Sequence, residues 1–258
     1  MLTVVAAILV AVVAAAVISV WKQQRSTATA HPAPTVVATA PPSAPAVANE
    51  PLGRVVEFLR HRRSARVGLS VLSVGLILGA IGMLGYPVYT NFYADRRQDA
   101  LERELASPEL RQAYLDGRLQ EGGALTRIRI PKIDIDVVVV EGVGGSALRA
   151  GAGHYPTTPL PCADGNVAIA GHRTTYGKPF HHLDRLAPGD VIILETPVGE
   201  CTYEVAEAPF VVAPDNVEVV SDTPGNANLT LTTCHPKGSA RERLIIRATM
   251  VGGEPVEA

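Results

Sequence analysis

The chain opens on an unbroken apolar run. Residues 2–20 are almost wholly Val, Ala, Leu and Ile, with no charge. At ~1.5 Å rise per residue such a run just spans a bilayer core of about 30 Å, so a transmembrane helix is predicted over 1–21. A signal peptide would carry positive residues before its apolar stretch; here Lys22 and Arg25 follow it. Polar and apolar residues then mix in a Pro-, Ala- and Thr-rich stretch, too poor in bulky side chains for a core and too rich in Pro for a helix. It leads into Arg54, Arg60, Arg62, Arg63 and Arg66, and 22–66 reads as a linker. A second uncharged apolar run, Val67 to Tyr89, predicts a second transmembrane helix over 67–89. By the positive-inside rule the linker is cytoplasmic and the chain beyond residue 89 faces outward.

From 90 to 122 the period becomes helical: Leu101, Leu105, Leu110 and Tyr114 recur among charged residues. Ser107-Pro108 should divide this juxtamembrane segment into two helices, forming a stalk or a lid on the next domain. Beyond it the apolar runs shorten to strand length, at 125–130, 135–140, 166–170, 190–195, 201–207, 216–220, 229–233 and 243–250. Gly, Pro, Asp and Asn punctuate them. Arg127-Ile128-Arg129-Ile130 alternates like a half-buried strand, whereas Val137 to Val140 does not and should be covered on both faces. The segment 171–189 reads as a long loop with one helical turn. The prediction is a mainly β barrel or sandwich over 123–253, with a short tail at 254–258.

Composition narrows the chemistry. A net charge of -2 gives no support to nucleic-acid binding, and 5% aromatic residues with 23 Gly and 20 Pro fit a turn-rich β domain. The three cysteines, Cys162, Cys201 and Cys234, form no CxxC, which argues against a cysteine zinc site. Cys162 and Cys201 could pair, but read more simply as two separate thiols packed in or beside the core.

Cys234 ends the strand Thr230-Leu231-Thr232-Thr233-Cys234, His172 follows the strand 166–170, and Arg243 opens the last strand. A thiolate is the nucleophilic form of cysteine. A histidine can take and return a proton near neutrality. An arginine keeps its charge and can hold a developing oxyanion. These residues therefore suit thiol-based acyl transfer. His154, His181, His182 and His235 rival His172, and Arg241, Arg243 and Arg247 would share one strand face, so spacing alone separates neither set.

The motifs resemble those of the sortase family of cysteine transpeptidases. Thr230-Leu231-Thr232-Thr233-Cys234 matches the family's Thr-Leu-x-Thr-Cys strand, Ala170-Gly171-His172 its histidine motif, and Arg243 before Leu244-Ile245-Ile246 its arginine. The likeness covers roughly residues 123–252. The segment Gly171 to Gly177 and the Pro-rich N-terminal part look most like class E sortases of high-GC Gram-positive bacteria. The resemblance implies a closed eight-stranded sortase-type β-barrel. It also implies catalytic Cys234, His172 and Arg243, with Tyr155 and Thr233 as substrate contacts. No cofactor and no metal are expected, because no acidic cluster resembles the calcium site of class A enzymes. The implied substrates are surface proteins bearing a Leu-Ala-x-Thr-Gly or Leu-Pro-x-Thr-Gly type sorting signal, cut between Thr and Gly. The implied acceptor is an amine of a lipid II type peptidoglycan precursor, at the outer face of the cell membrane. A hydrolase or pilin-polymerising enzyme on the same scaffold, or a non-catalytic peptide-binding β domain, are the competing readings.

Overall fold

The last β-strand closes the molecule, because it pairs with three neighbours. The structure, a computed structural model, describes residues 63–253. The helix expected over 1–21, the linker up to residue 62 and the tail lie outside the described residues. Nine strands are present among the described residues: β1 (Ala124–Ile130), β2 (Ile135–Glu141), β3 (Ala152–His154), β4 (Gly165–Ala170), β5 (Val191–Thr196), β6 (Gly199–Val205), β7 (Phe210–Val212), β8 (Ala227–His235) and β9 (Glu242–Gly252). Eight run in the order β6-β5-β1-β2-β3-β4-β8-β9 and close through a β6–β9 pairing, while β7 adds to the free length of β9. This is the expected eight-stranded closed barrel, which leaves few exposed strand edges.

One member of the ring differs from those read in the sequence. Residues 217–220 form a 3-10 turn in place of a strand. Asn216 caps it, its side-chain oxygen accepting from the Glu218 amide at 3.2 Å, and a local side-chain bond of this kind competes with strand pairing. The short β3 completes the ring instead, and like β7 it is too short to show an alternating pattern.

Alternation builds the core. Leu229 and Leu231 of β8 and Leu244 and Ile246 of β9 turn inward to join Ile128, Ile130, Val139, Val167, Ile169, Phe180, Ile192, Leu194 and Tyr203. A second cluster lies outside the barrel wall, where Val138 and Val140 meet Leu101, Leu110, Ala147 and Ala150. β2 is therefore covered on both faces, which is why Val137 to Val140 shows no alternation.

The outer cover comes from helices. α1 (Arg63–Leu105) is 43 residues long, about 64 Å at ~1.5 Å per residue, so it exceeds a bilayer core of about 30 Å by a similar length. Among the described residues it is the one helix long and apolar enough to cross a membrane. Its large apolar side chains from Val67 to Tyr89 are exposed, and its barrel-facing stripe, Thr90, Ala94 and Leu101, is buried. Gln98 fixes the register of helix on barrel. Its amide nitrogen donates to the carbonyls of Val138 (3.0 Å) and Ala150 (2.9 Å), and its oxygen accepts from the Val138 amide (2.7 Å). α2 (Pro108–Leu115) begins at the expected break, with Ser107 as N-cap accepting from the Leu110 amide. Its Tyr114 donates to the Pro161 carbonyl. α3 (Gly145–Ala150) connects β2 to β3.

One expectation is corrected. Cys162 and Cys201 are not separate thiols: they form a disulfide, with Cα atoms 5.7 Å apart and 39 residues apart in sequence. The pairing joins the segment before β4 to β6, a proximity that arises only once β5 and β6 have folded against that segment.

Candidate active site

β8 supplies the free cysteine and stands between two neighbours. β4 runs parallel to it, with Ala170 opposite Thr232, and β9 runs antiparallel, with Arg243 opposite Cys234. Since Leu229 and Leu231 point into the core, Thr230, Thr232 and Cys234 point out. Arg243 shares that outward face. His172 lies two residues beyond Ala170, as Cys234 lies two beyond Thr232, so the parallel pairing leads both residues out of the same end of the sheet. Cys234 is partly exposed and is the one free cysteine among the described residues.

The register separates the arginines that spacing left together. Arg241 precedes β9 and is exposed. Arg247 stands opposite Thr230, ~13 Å along the strand from Arg243, and lies over the Phe210 ring. Arg243 is the one beside the thiol, its guanidinium curled onto the carbonyls of Ala240 and Glu242 at 2.9 and 3.0 Å.

The histidines separate as well. His154 is 1% exposed and bonded on both sides, Nδ1 to Glu141 Oε2 at 2.8 Å and Nε2 to the Pro159 carbonyl at 2.9 Å. A carbonyl only accepts, so Nε2 carries a proton there. His181 donates from Nδ1 to the Arg173 carbonyl, and its ring meets His182 edge-on. His235 lies on the other face of β8 and accepts from Arg173 at Nδ1. Among the described histidines, His172 is the one that directly follows the strand paired in parallel with β8. Burial pushes the His172 imidazole below its ordinary pKa, and the nearby positive charge of Arg149 pushes it the same way. A neutral imidazole at pH 7 can accept a thiol proton.

Gly171 explains the residue before it. A Cβ at this position would lie 2.6 Å from the Phe180 ring, which is fully buried, so only glycine lets the chain turn out to His172. Its carbonyl accepts from the Thr233 hydroxyl at 2.8 Å. Thr233, the other expected substrate contact, alternates to the opposite face from Cys234, is 3% exposed, and ties β8 to the turn carrying His172.

Tyr155 is half-buried and within electrostatic reach of Cys234 and Arg243. Burial raises its phenol pKa most and Cys234 raises it further, whereas Arg243 lowers it. Its loop is pinned by His154 and by Thr158, whose hydroxyl donates to the Tyr155 carbonyl at 2.8 Å.

Sequence reasoning missed Arg173. It is 4% exposed, and its Nη1 donates to the Cys234 carbonyl (3.2 Å) and to His235 Nδ1 (2.9 Å), while Nη2 pairs with Asp184 (3.2 Å). One guanidinium thus joins the histidine loop to the backbone of the cysteine. Its only sequence signal was adjacency to His172. Among the described residues no group of three His, Cys, Asp or Glu side chains could hold a metal ion.

A free cysteine and a guanidinium at paired positions on the outer face of a closed barrel, with an imidazole just past the neighbouring strand, are the equipment of a cysteine acyl-transfer enzyme. A family model described as "Sortase domain" matches residues 128–251. Sortase SrtE1 of Streptomyces coelicolor is 31% identical over 80% of this chain and 64% of its own length. Sortase SrtE2 of the same organism is 31% identical over 77% of this chain and 88% of its own. The solved Sortase D5 transpeptidase of Clostridium perfringens superposes with a TM-score of 0.55 at 27% identity, covering 62% of this chain and 99% of that one. The chain belongs to the sortase family of cysteine transpeptidases.

Proposed function

We propose that this chain is a membrane-anchored sortase. In this reading it cleaves a sorting signal of Leu-Ala-x-Thr-Gly or Leu-Pro-x-Thr-Gly type between Thr and Gly, and transfers the protein to a cell-wall precursor amine. The observation that carries this reading is the in-register placement of Cys234 and Arg243 on β8 and β9, with His172 just beyond the strand paired in parallel with β8.

The chemistry follows in two steps. His172 takes the Cys234 proton as sulfur attacks the threonine carbonyl carbon. Arg243 holds the resulting oxyanion. The C–N bond then breaks, and the His172 imidazolium gives its proton to the departing glycine amine, leaving a thioester. The acceptor amine loses a proton to His172 as its nitrogen attacks the thioester carbonyl. The C–S bond breaks and the proton returns to sulfur. Tyr155, within electrostatic reach of Cys234 and Arg243, reads the residue after the signal's leucine. Thr233 steadies the His172 turn through Gly171 while its end of the strand contributes to the peptide site.

The location rests on physical consistency. α1 is apolar and exposed up to Tyr89, and arginines precede it, so residues 67–89 cross the membrane with the barrel outside. The disulfide supports an oxidising outer compartment. With the predicted helix over 1–21 the protein is multi-pass, joined by a cytoplasmic linker. Its partners are the signal-bearing surface proteins, the lipid-linked precursor and the membrane itself.

The test uses a fluorogenic Leu-Ala-x-Thr-Gly peptide and its Leu-Pro counterpart, with and without an added amine. Wild type should cleave and form the amine adduct, and Cys234→Ala should do neither. Cleavage without an adduct would make the protein a hydrolase. No cleavage of either peptide by folded protein would defeat the reading.

A further inference from the structure

The loop that follows His172 contains a conformation its sequence disfavours. Tyr176, Gly177 and Lys178 have φ of 50°, 72° and 44°, three consecutive left-handed residues of which two carry side chains. Non-glycine residues adopt this region singly and at a cost, and hold it where surrounding structure dictates it. Part of that structure is α1. The Gly177 amide donates to Asn91 Oδ1 at 3.3 Å. A Cβ at Gly177 would stand 3.3 Å from the Ala94 Cβ, and Ala94 is 2% exposed. The Tyr93 ring meets the Tyr176 ring edge-on, with centroids 6.3 Å apart. Tyr176 in turn lies against the His172 imidazole, centroids 5.5 Å apart and planes inclined by 32°. Both separations fall within the range of favourable ring pairs. The helix therefore reaches the imidazole through a single intervening ring.

The contacts of Asn91, Tyr93 and Ala94 come from the first turn of α1 beyond its exposed apolar run. Tyr89 and Tyr93 are about 6 Å apart along the helix axis.

We propose that α1 is a positioning element of the active site as well as an anchor: Asn91, Tyr93 and Ala94 hold the Tyr176–Lys178 turn in its left-handed conformation and so fix Tyr176 against His172. This rests on the catalytic reading of His172. The anchor and the catalytic histidine then form one unit, and a barrel freed of α1 keeps its cysteine but loses the register of its base.

The test uses the full chain in detergent, with Asn91→Ala, Tyr93→Ala, Tyr93→Phe and Ala94→Leu. Phe92→Ala serves as control, since this neighbouring ring is 51% exposed and carries Arg96 at 4.6 Å. Amide hydrogen exchange over residues 174–180 reads the turn without reference to activity. Peptide cleavage reads kcat and KM. Asn91→Ala, Tyr93→Ala and Ala94→Leu should speed exchange in that segment and lower kcat about tenfold, with KM within about twofold and the barrel's unfolding midpoint unchanged. Tyr93→Phe should retain wild-type behaviour, because the edge-on ring remains. Unchanged exchange in all three variants would overturn the proposal, and so would faster exchange with kcat at the wild-type level. Undiminished cleavage by His172→Ala would instead remove the catalytic reading of His172, an outcome the exchange data do not depend on.

Discussion

The disulfide between Cys162 and Cys201 allows a quantitative test of the barrel. It closes a loop of 39 residues. In the chain-entropy model, a loop of that length restricts the unfolded state enough to contribute about 4 kcal/mol at 25 °C. With a urea m-value of roughly 2 kcal/mol/M, losing it should lower the unfolding midpoint by about 2 M. Either Cys162→Ala or Cys201→Ala breaks the bond, so each single variant should lose nearly as much as the double variant. Two independent core thiols would instead give small, additive losses of about 1 kcal/mol each, typical of point substitutions. The assay is urea unfolding of the full chain in detergent, followed by near-ultraviolet circular dichroism of buried tyrosines such as Tyr203, which is fully buried. Denatured, unreduced protein taken from cells should react with one equivalent of maleimide, at Cys234. Three equivalents, or single-variant losses that sum to the double, would refute both the bond and the outer location argued from it.

Arg173→Met should lower kcat about 10- to 100-fold, since hydrogen bonds to a charged group are worth roughly 1.5–3 kcal/mol. Arg173→Lys should recover part of this, and a kcat within threefold of wild type for Arg173→Met would remove its link to the cysteine. Burial and Arg149 lower the His172 pKa, so the acidic limb of kcat/KM should lie below the ordinary histidine value of ~6.5. In that window the unfolded chain binds the proton and the folded one does not. The stability His172 contributes is thus complete above ~6.5 and lost as pH falls through the lower folded value. His172→Asn should flatten that part of the slope, measured as urea midpoints across pH 5–8, and an unchanged slope would count against the shift. Tyr155→Ala should change the preference between Leu-Ala and Leu-Pro peptides; equal losses of kcat/KM on both would remove its role in specificity.

Much of the architecture was legible because it depends on local periodicity. The strand bearing Cys234 shows inward leucines alternating with outward threonines over Leu229-Thr230-Leu231-Thr232. The unbroken Val137 to Val140 run announced a strand covered twice, and α1 and α2 provide the second cover. The 3-10 turn at 217–220 was misread because Val-Glu-Val-Val has a strand's alternation. What overrides it is a single cap from Asn216, which alternation cannot reveal.

The residues of the candidate site divide along the same line. Residue type and position at strand ends were enough to nominate Cys234, His172 and Arg243, since chemistry restricts which side chains can act as nucleophile, base and oxyanion holder. Choosing Arg243 over Arg247 needed the β8–β9 register, because the two differ only in which residue of the neighbouring strand they face. The tie from the Thr233 hydroxyl to the Gly171 carbonyl also needed the packing of β8 against the end of β4. Arg173, the disulfide and the contact between Tyr93 and Tyr176 join residues tens of positions apart. By itself, then, the amino-acid sequence determined the apolar helix, the strands and the chemical groups at their ends, all set by neighbours within a few residues. Only the tertiary structure decided which groups meet, because that depends on how a closed ring of strands brings distant positions into register.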